Sequence, residues 1–268
     1  MACLATKRAE WVIRLKAELQ ACKFALFVTL TYSDETIPIG EYVNEETGEI
    51  LNKLEPCKRD CQLFLKRLRK RIGNRKFRYF IISEYGDTTH RPHYHGIFFF
   101  KDINEDIYLY DNIDEAWGNG FVKFGEVTDA SIAYCTKYVL KLTSLPMGIK
   151  DTFTLMSRHP ALGEVEMTKH VSFSSDQLSR PIYLRGGQRG PLPRLWRDRV
   201  KASLSEDDKE LARSDLFAKL QKSCKDDFAT FQRVYHSDDF RRYDELRQDS
   251  IASREDILRK RVKKQSTF

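Results

Sequence analysis

Three of the chain's six histidines fall in one short stretch, HRPHYHG, where His93 and His95 flank a tyrosine. Alternate residues of a β-strand share a face, so both imidazoles point one way and Tyr94 points the other. Taken alone, this pattern suits either a metal ion or two strand histidines satisfied by hydrogen bonds. Glu84 adds a third donor. It ends the apolar run KFRYFIISE, and the stretch YGDTTHRP that follows is rich in turn formers. A hairpin across that turn sets the carboxylate beside the two imidazoles. Two imidazoles and one carboxylate with open positions suit a divalent ion. A closed structural zinc site needs a fourth protein ligand, and none is evident. His90 sits on the turn itself, where a solvated or DNA-contacting role is expected.

The stretch YCTKYVLK supplies candidate nucleophiles. Tyr134 and Tyr138 are one helical turn apart and share a face, and Lys137 and Lys141 each follow a tyrosine by three. The same spacing also describes a core-facing aromatic pair with solvated lysines. A phenol titrates near pH ~10 and attacks poorly unless activated. Lys137 or a bound metal would lower that value, and the metal would also polarise a phosphoryl oxygen under attack.

These groups need a frame. FALFVTLTYS, KFRYFIISE, HYHGIFFFK and FVKFGEV read as strands, and NEETGEI as a small hairpin. PCKRDCQLFLKRLRKRIG reads as a helix with Gly73 at its C-cap. NEDIYLYDNIDEAWGNG reads as a helix ending at Gly118 or Gly120. TDASIAYCTKYVLKL reads as a helix capped by Thr128 or Asp129 and running to about Leu142. The expected class is α+β, an antiparallel central sheet with flanking helices. Residues 151–200 are dense in Gly and Pro and read as an irregular, loop-rich segment. Beyond them come two charged amphipathic helices.

In FVTLTY, Val28, Leu30 and Tyr32 share one face and are expected against helices. Thr29 and Thr31 share the other, either lining a DNA-binding side or serving as ordinary strand threonines. The run KRLRKRIGNRKFRY holds eight Lys or Arg in fourteen residues, either a phosphate-contacting cluster or a solvated helix face. Arg91 and Arg78 are expected nearer the candidate site. Trp196, in RLWRDR, either stacks a base or packs.

The formal charge of +7 favours an acidic partner, nucleic acid being the commonest. No long apolar run suggests a membrane span. The first residues read as an amphipathic helix, not a signal peptide. The six cysteines include only one close pair, Cys57 and Cys61, so free thiols in a reducing cytoplasm are expected.

FVTLTY, SEYGDTTHRPHYHG and YCTKYVLK occur in that order, and here the sequence resembles the HUH-type rolling-circle replication initiators. It is most similar to those of microviruses, small single-stranded-DNA phages of the gokushovirus kind. The resemblance covers about residues 22–200, and SRHPALG and PLPRLWRDR are similar to later segments of the same proteins. It implies a ferredoxin- or RRM-like HUH endonuclease domain over 24–200, an N-terminal helix over 1–23 and a charged helical extension over 201–268. It implies His93, His95 and Glu84 as ligands of Mg²⁺ or Mn²⁺, and Tyr134 and Tyr138 as nucleophiles with Lys137 between them. Arg91, Arg78, Lys141, Thr29 and Thr31 are the expected DNA contacts. The implied reaction nicks and rejoins single-stranded or supercoiled viral origin DNA through a 5′-phosphotyrosine, leaving a 3′ hydroxyl for a polymerase. No phosphate-loop motif occurs, so a host helicase and DNA polymerase are expected partners, in the cytoplasm of an infected bacterium. A plasmid-type initiator, a single-tyrosine transposase and a non-catalytic single-strand-binding module are the competing readings.

Overall fold

A computed structural model describes residues 2–43, 47–86, 88–102, 107–138, 150–185 and 188–264. The chain packs as two compact units, residues 11–169 and residues 1–10 with 170–268. This division follows packing, whereas the boundaries read from the sequence follow composition.

The first unit is built on a five-stranded antiparallel sheet. Its strands are β1 (Phe24–Tyr32), β4 (Phe77–Tyr85), β5 (Pro92–Phe100), β6 (Gly120–Glu126) and β7 (Thr154–Met156), in the order β6-β1-β5-β4-β7. A separate hairpin, β2 (Ile39–Val43) with β3 (Ile50–Leu54), forms where NEETGEI suggested one. The helices are α1 (Ala2–Gln20), α2 (Lys58–Ile72), α3 (Ile107–Trp117), α4 (Asp129–Tyr138) and α5 (Glu164–Thr168).

Strand alternation divides the sheet into two chemically different faces. On one, Leu26, Val28, Leu30 and Tyr32 of β1 and Tyr94, Phe98 and Phe100 of β5 pack with Phe64, Leu65 and Leu68 of α2 and Leu109, Ile113 and Trp117 of α3. On the other, Phe80, Ile82, Ile97 and Phe99 pack with Leu15 of α1 and with Ile132 and Cys135 of α4. The apolar core of this second face occupies one half of the strands; the rest is polar.

Local chemistry fixes the ends of these elements. Gly73 closes α2 at φ 63°, a positive value that favours glycine after a helix. Thr128 caps α4 reciprocally: its Oγ1 accepts from Ser131 N at 3.3 Å, and its own N–H donates to Ser131 Oγ at 2.8 Å. At Gly120, which opens β6 at φ 146°, a Cβ would lie 2.3 Å from Ser33 N and 2.5 Å from Thr31 O. Only glycine permits that approach.

The reading of residues 151–200 as irregular is corrected. This segment contains β7, α5, α6 (Ser175–Ser179), the hairpin β8 (Ile182–Arg185) with β9 (Gln188–Pro191), and α7 (Arg194–Ser203). Strand β7 completes the sheet through Phe80↔Met156 and Ile82↔Thr154. Its three residues are too few to display alternation, so pairing with β4 rather than local pattern makes it a strand.

The second unit adds two long helices, α8 (Glu206–Tyr235) and α9 (Phe240–Lys264), matching the two charged helices expected. Phe228 and Phe231 of α8 meet Tyr243 of α9 at ring distances of 5.2 and 5.5 Å. Trp196 is fully buried, so it packs rather than offering a base-stacking surface. Among the described residues, no helix is long and apolar enough to cross a membrane. Cys22, Cys57, Cys61, Cys135 and Cys224 are free thiols.

Candidate active site

The register of the sheet brings the three donors to one face. Glu84 on β4 lies directly opposite His93 on β5, and Ile82 lies opposite His95. Tyr94, between the histidines, turns to the other side and is anchored there. Its hydroxyl lies 2.9 Å from Tyr32 Oη and accepts from Cys57 N at 2.7 Å. Burial drives both the Tyr32 and Tyr94 phenols well above the usual tyrosine range, so neither is available as a phenolate. Their role is to lock β5 in register, which fixes where the imidazoles project.

The imidazole of His95 is held on both sides. Its Nδ1 lies 3.1 Å from Thr29 Oγ1, and its Nε2 lies 3.1 Å from Glu84 Oε2. Phe27 stacks on it from β1, with ring centroids 5.9 Å apart. The hydroxyl on one ring nitrogen leaves the other facing Glu84, the arrangement that orients metal-ligating histidines. Glu84 itself is 6% exposed and needs such partners.

Tyr134 of α4 closes the group. Its hydroxyl donates to Glu84 Oε2 at 2.8 Å and lies 3.4 Å from His95 Nε2. Its ring meets the His95 ring edge-on at 4.9 Å, yet the residue is 37% exposed. Cys135 and Thr136 behind it are fully buried, so α4 is clamped by its inner side while Tyr134 looks across the sheet face. Lys137 follows on the same helix, half-buried. Tyr138 is the last residue of α4; its side chain lies outside the described set, as does Lys141.

Whether this donor set suits a divalent ion turns on His93. Among the described residues, no three His, Cys, Asp or Glu side chains form a ready-made ion cage. Glu84 and His95 are paired, and His93 stands beside them. The Nδ1 of His93 is buried without a hydrogen-bond partner among the described residues. A Cβ on Gly86 would lie 3.1 Å from its Nε2, so this ring needs the glycine's open space. Burial first, then His95, draws the His93 pKa below the usual imidazole value, which favours the neutral, ligating form. An orphaned buried imidazole nitrogen beside a carboxylate–imidazole pair fits a divalent metal.

The remaining expected residues are placed unevenly. Thr29 contacts His95, and Thr31 donates to Phe121 O at 3.2 Å on the same face. Arg91 lies at this end of the sheet, but its guanidinium is engaged by Asp34 Oδ1 at 2.6 Å and Tyr32 O at 3.0 Å. Arg78 is not with the site. It lies at the far end of β4, its Nε 2.7 Å from the buried Glu18 carboxylate and its Nη2 2.7 Å from Pro160 O. His90 occupies the turn at φ 51° and is exposed.

Two residues of β6 were missed from the sequence. Lys123 pairs with Thr29 and Phe121 with Thr31, so both lie on the site face, and Phe121 is 66% exposed. A cation and an open aromatic ring beside the donors suit a nucleic-acid strand. Their signal was the alternation of FVKFGEV, which becomes readable only when the register with β1 is known.

Residues 25–143 match the family model of the replication-associated protein ORF2 kind. Three curated relatives are similar. Replication-associated protein VP4 of Bdellovibrio phage phiMH2K is 27% identical over 85% of this chain and 76% of its own length. Replication-associated protein ORF2 of Spiroplasma virus 4 is 31% identical over 56% of this chain. Replication-associated protein ORF4 of Chlamydia phage 1 is 23% identical over 66% of this chain. The match spans only 47% and 48% of the lengths of these last two. No solved structure matches the chain.

Proposed function

We propose that this chain, a relative of the microvirus replication-associated proteins, initiates rolling-circle replication by nicking and rejoining single-stranded origin DNA. The observation that carries this reading is the Tyr134 hydroxyl, 2.8 Å from Glu84 Oε2 and beside His95, on a helix that leaves it 37% exposed.

In this reading the Tyr134 oxygen attacks a backbone phosphorus in line with the leaving 3′ oxygen. The O–P bond to tyrosine forms as the P–O3′ bond breaks, giving a 5′-phosphotyrosine and a free 3′ hydroxyl. Glu84 accepts the phenolic hydrogen bond, so it orients the attacking oxygen and is placed to take its proton at Oε2. Thr29 orients His95, and Tyr94 holds the strand that carries both histidines. Glu84, His93 and His95 are the residues that would hold Mg²⁺ or Mn²⁺, whose chemistry is to withdraw charge from the phosphoryl oxygens. Lys123 and Phe121 are positioned to guide the strand across the face. Tyr138, one turn further on, is the position from which a second transfer would release a circle, with Lys137 between the two. The origin DNA of the virus is the substrate, and the cytoplasm of the infected bacterium is the setting. A host helicase and polymerase would unwind the duplex and extend the 3′ end.

The test is incubation with single-stranded DNA carrying the viral origin, with Mn²⁺, followed by denaturing gels. A protein–DNA adduct that EDTA prevents is expected. No adduct across the whole origin region would overturn the reading, and an adduct undiminished by EDTA would remove the metal from it.

A further inference from the structure

The basic run between α2 and β4 is sorted by the fold into two jobs. Arg67 donates to the carbonyls of Ala116 and Trp117 at 2.7 and 2.8 Å, and Arg71 pairs with Glu115. These two clasp the C-terminal end of α3, where cations are favoured. Others turn to a different place, a groove of about 960 Å³ between the end of α2, the start of β4 and the segment after β7. Lys58, Arg69, Lys76, Lys101 and Arg158 line it, and among the described residues no carboxylate does. None of these five has an ion-pair partner among the described residues, and all but Lys101 are exposed. The Arg69 guanidinium lies over Phe77 and Tyr79 at 5.2 and 5.6 Å, which stiffens the groove floor. Arg78 also reaches the wall, but Glu18 pairs it.

A concave site with several cations and no counter-charge concentrates polyanions and has no carboxylates to desolvate when one binds. Its position relates it to the candidate active site. The groove is at the Phe77 end of β4 and Glu84 is at the other, roughly 20–25 Å apart at the rise of a strand. That length corresponds to about six or seven phosphate steps of a DNA strand. We infer that this groove is a second DNA-binding site, holding the phosphodiester backbone of a segment flanking the one presented to Tyr134. The inference rests on the proposed DNA substrate, and adds an anchor that is remote from the chemistry and indifferent to sequence.

The test compares the parent with Lys58→Ala/Arg69→Ala/Lys76→Ala/Arg158→Ala by fluorescence anisotropy over a salt series. The probes are a duplex of about 30 base pairs and an oligothymidylate of about 30 nucleotides, which separate the two forms the backbone could take. At least about tenfold weaker binding is expected on one or both probes, with a log–log salt slope reduced by about two to four. Circular dichroism of the variant checks its fold, and Lys58→Gln/Lys76→Gln/Arg158→Gln, which keeps Arg69 over its rings, should lose affinity in the same direction. Lys66→Ala/Lys70→Ala removes exposed cations of the same helix outside the groove and should change the slope by less per charge. Unchanged affinity and slope on both probes, or an equal loss per charge in the Lys66/Lys70 variant, would overturn the groove. A parent that forms the covalent adduct while the groove variant keeps its slope sinks this inference and leaves the proposed function standing. A slope lost in the variant of a parent that forms no adduct does the reverse.

Discussion

Successive residues of β5 do opposite jobs on the two faces of the sheet. Tyr94 is fully buried, hydrogen-bonded to Tyr32 and Cys57, and its phenol is driven far from ionisation. His93 and His95 flank it on the other side and meet a second tyrosine, Tyr134, that is partly open to solvent and bonded to a carboxylate. The same side chain is architecture on one face and a candidate nucleophile on the other. Burial and partner decide which: one phenol satisfies a backbone N–H in a dry core, the other faces a space into which a phosphate could enter.

If the two faces divide labour in this way, substitutions should separate stability from activity. The largest effect is expected on the site face. His95→Ala should lower adduct formation by on the order of 10³-fold in timed gel assays, with little change in melting temperature. On the core face, Trp117→Ala should cost about 3–5 kcal/mol in urea unfolding, since the ring is fully buried and its N–H donates to Thr31 O at 2.8 Å. Tyr94→Phe should cost about 1–3 kcal/mol by leaving the Cys57 N–H without its acceptor. Cleavage per folded molecule should be unchanged. Thr29→Val keeps the strand but removes the hydroxyl 3.1 Å from His95 Nδ1, so Mn²⁺ affinity measured by titration calorimetry should fall about tenfold. If Tyr94→Phe instead abolished cleavage at full stability, the division between faces would fail.

Much of this arrangement was legible because strand alternation is a strong local signal. HYHGIFFFK and KFRYFIISE each predict which residues share a face, and the turn between them places Glu84 opposite His93. The helix of Tyr134 was readable from Thr128, its cap, and from its apolar spacing. What escaped depends on partners distant in sequence. Arg78 looks like a DNA contact until Glu18 of α1 pairs with it. Lys123 and Phe121 acquire a face only through their register with β1. The strand β7 has too few residues to announce itself. The basic run around Arg69 is one string in sequence, yet the fold directs Arg67 and Arg71 to α3 and Arg69 and Lys76 to the groove.

The central claim is that Tyr134 is the residue that first joins DNA. The most direct measurement is peptide mapping by mass spectrometry of the adduct formed on origin DNA and then trimmed by nuclease. The account predicts a nucleotide remnant on Tyr134, and no first-strand adduct from Tyr134→Phe. A remnant carried only by another residue, with Tyr134→Phe reacting at the parent's rate, would contradict it.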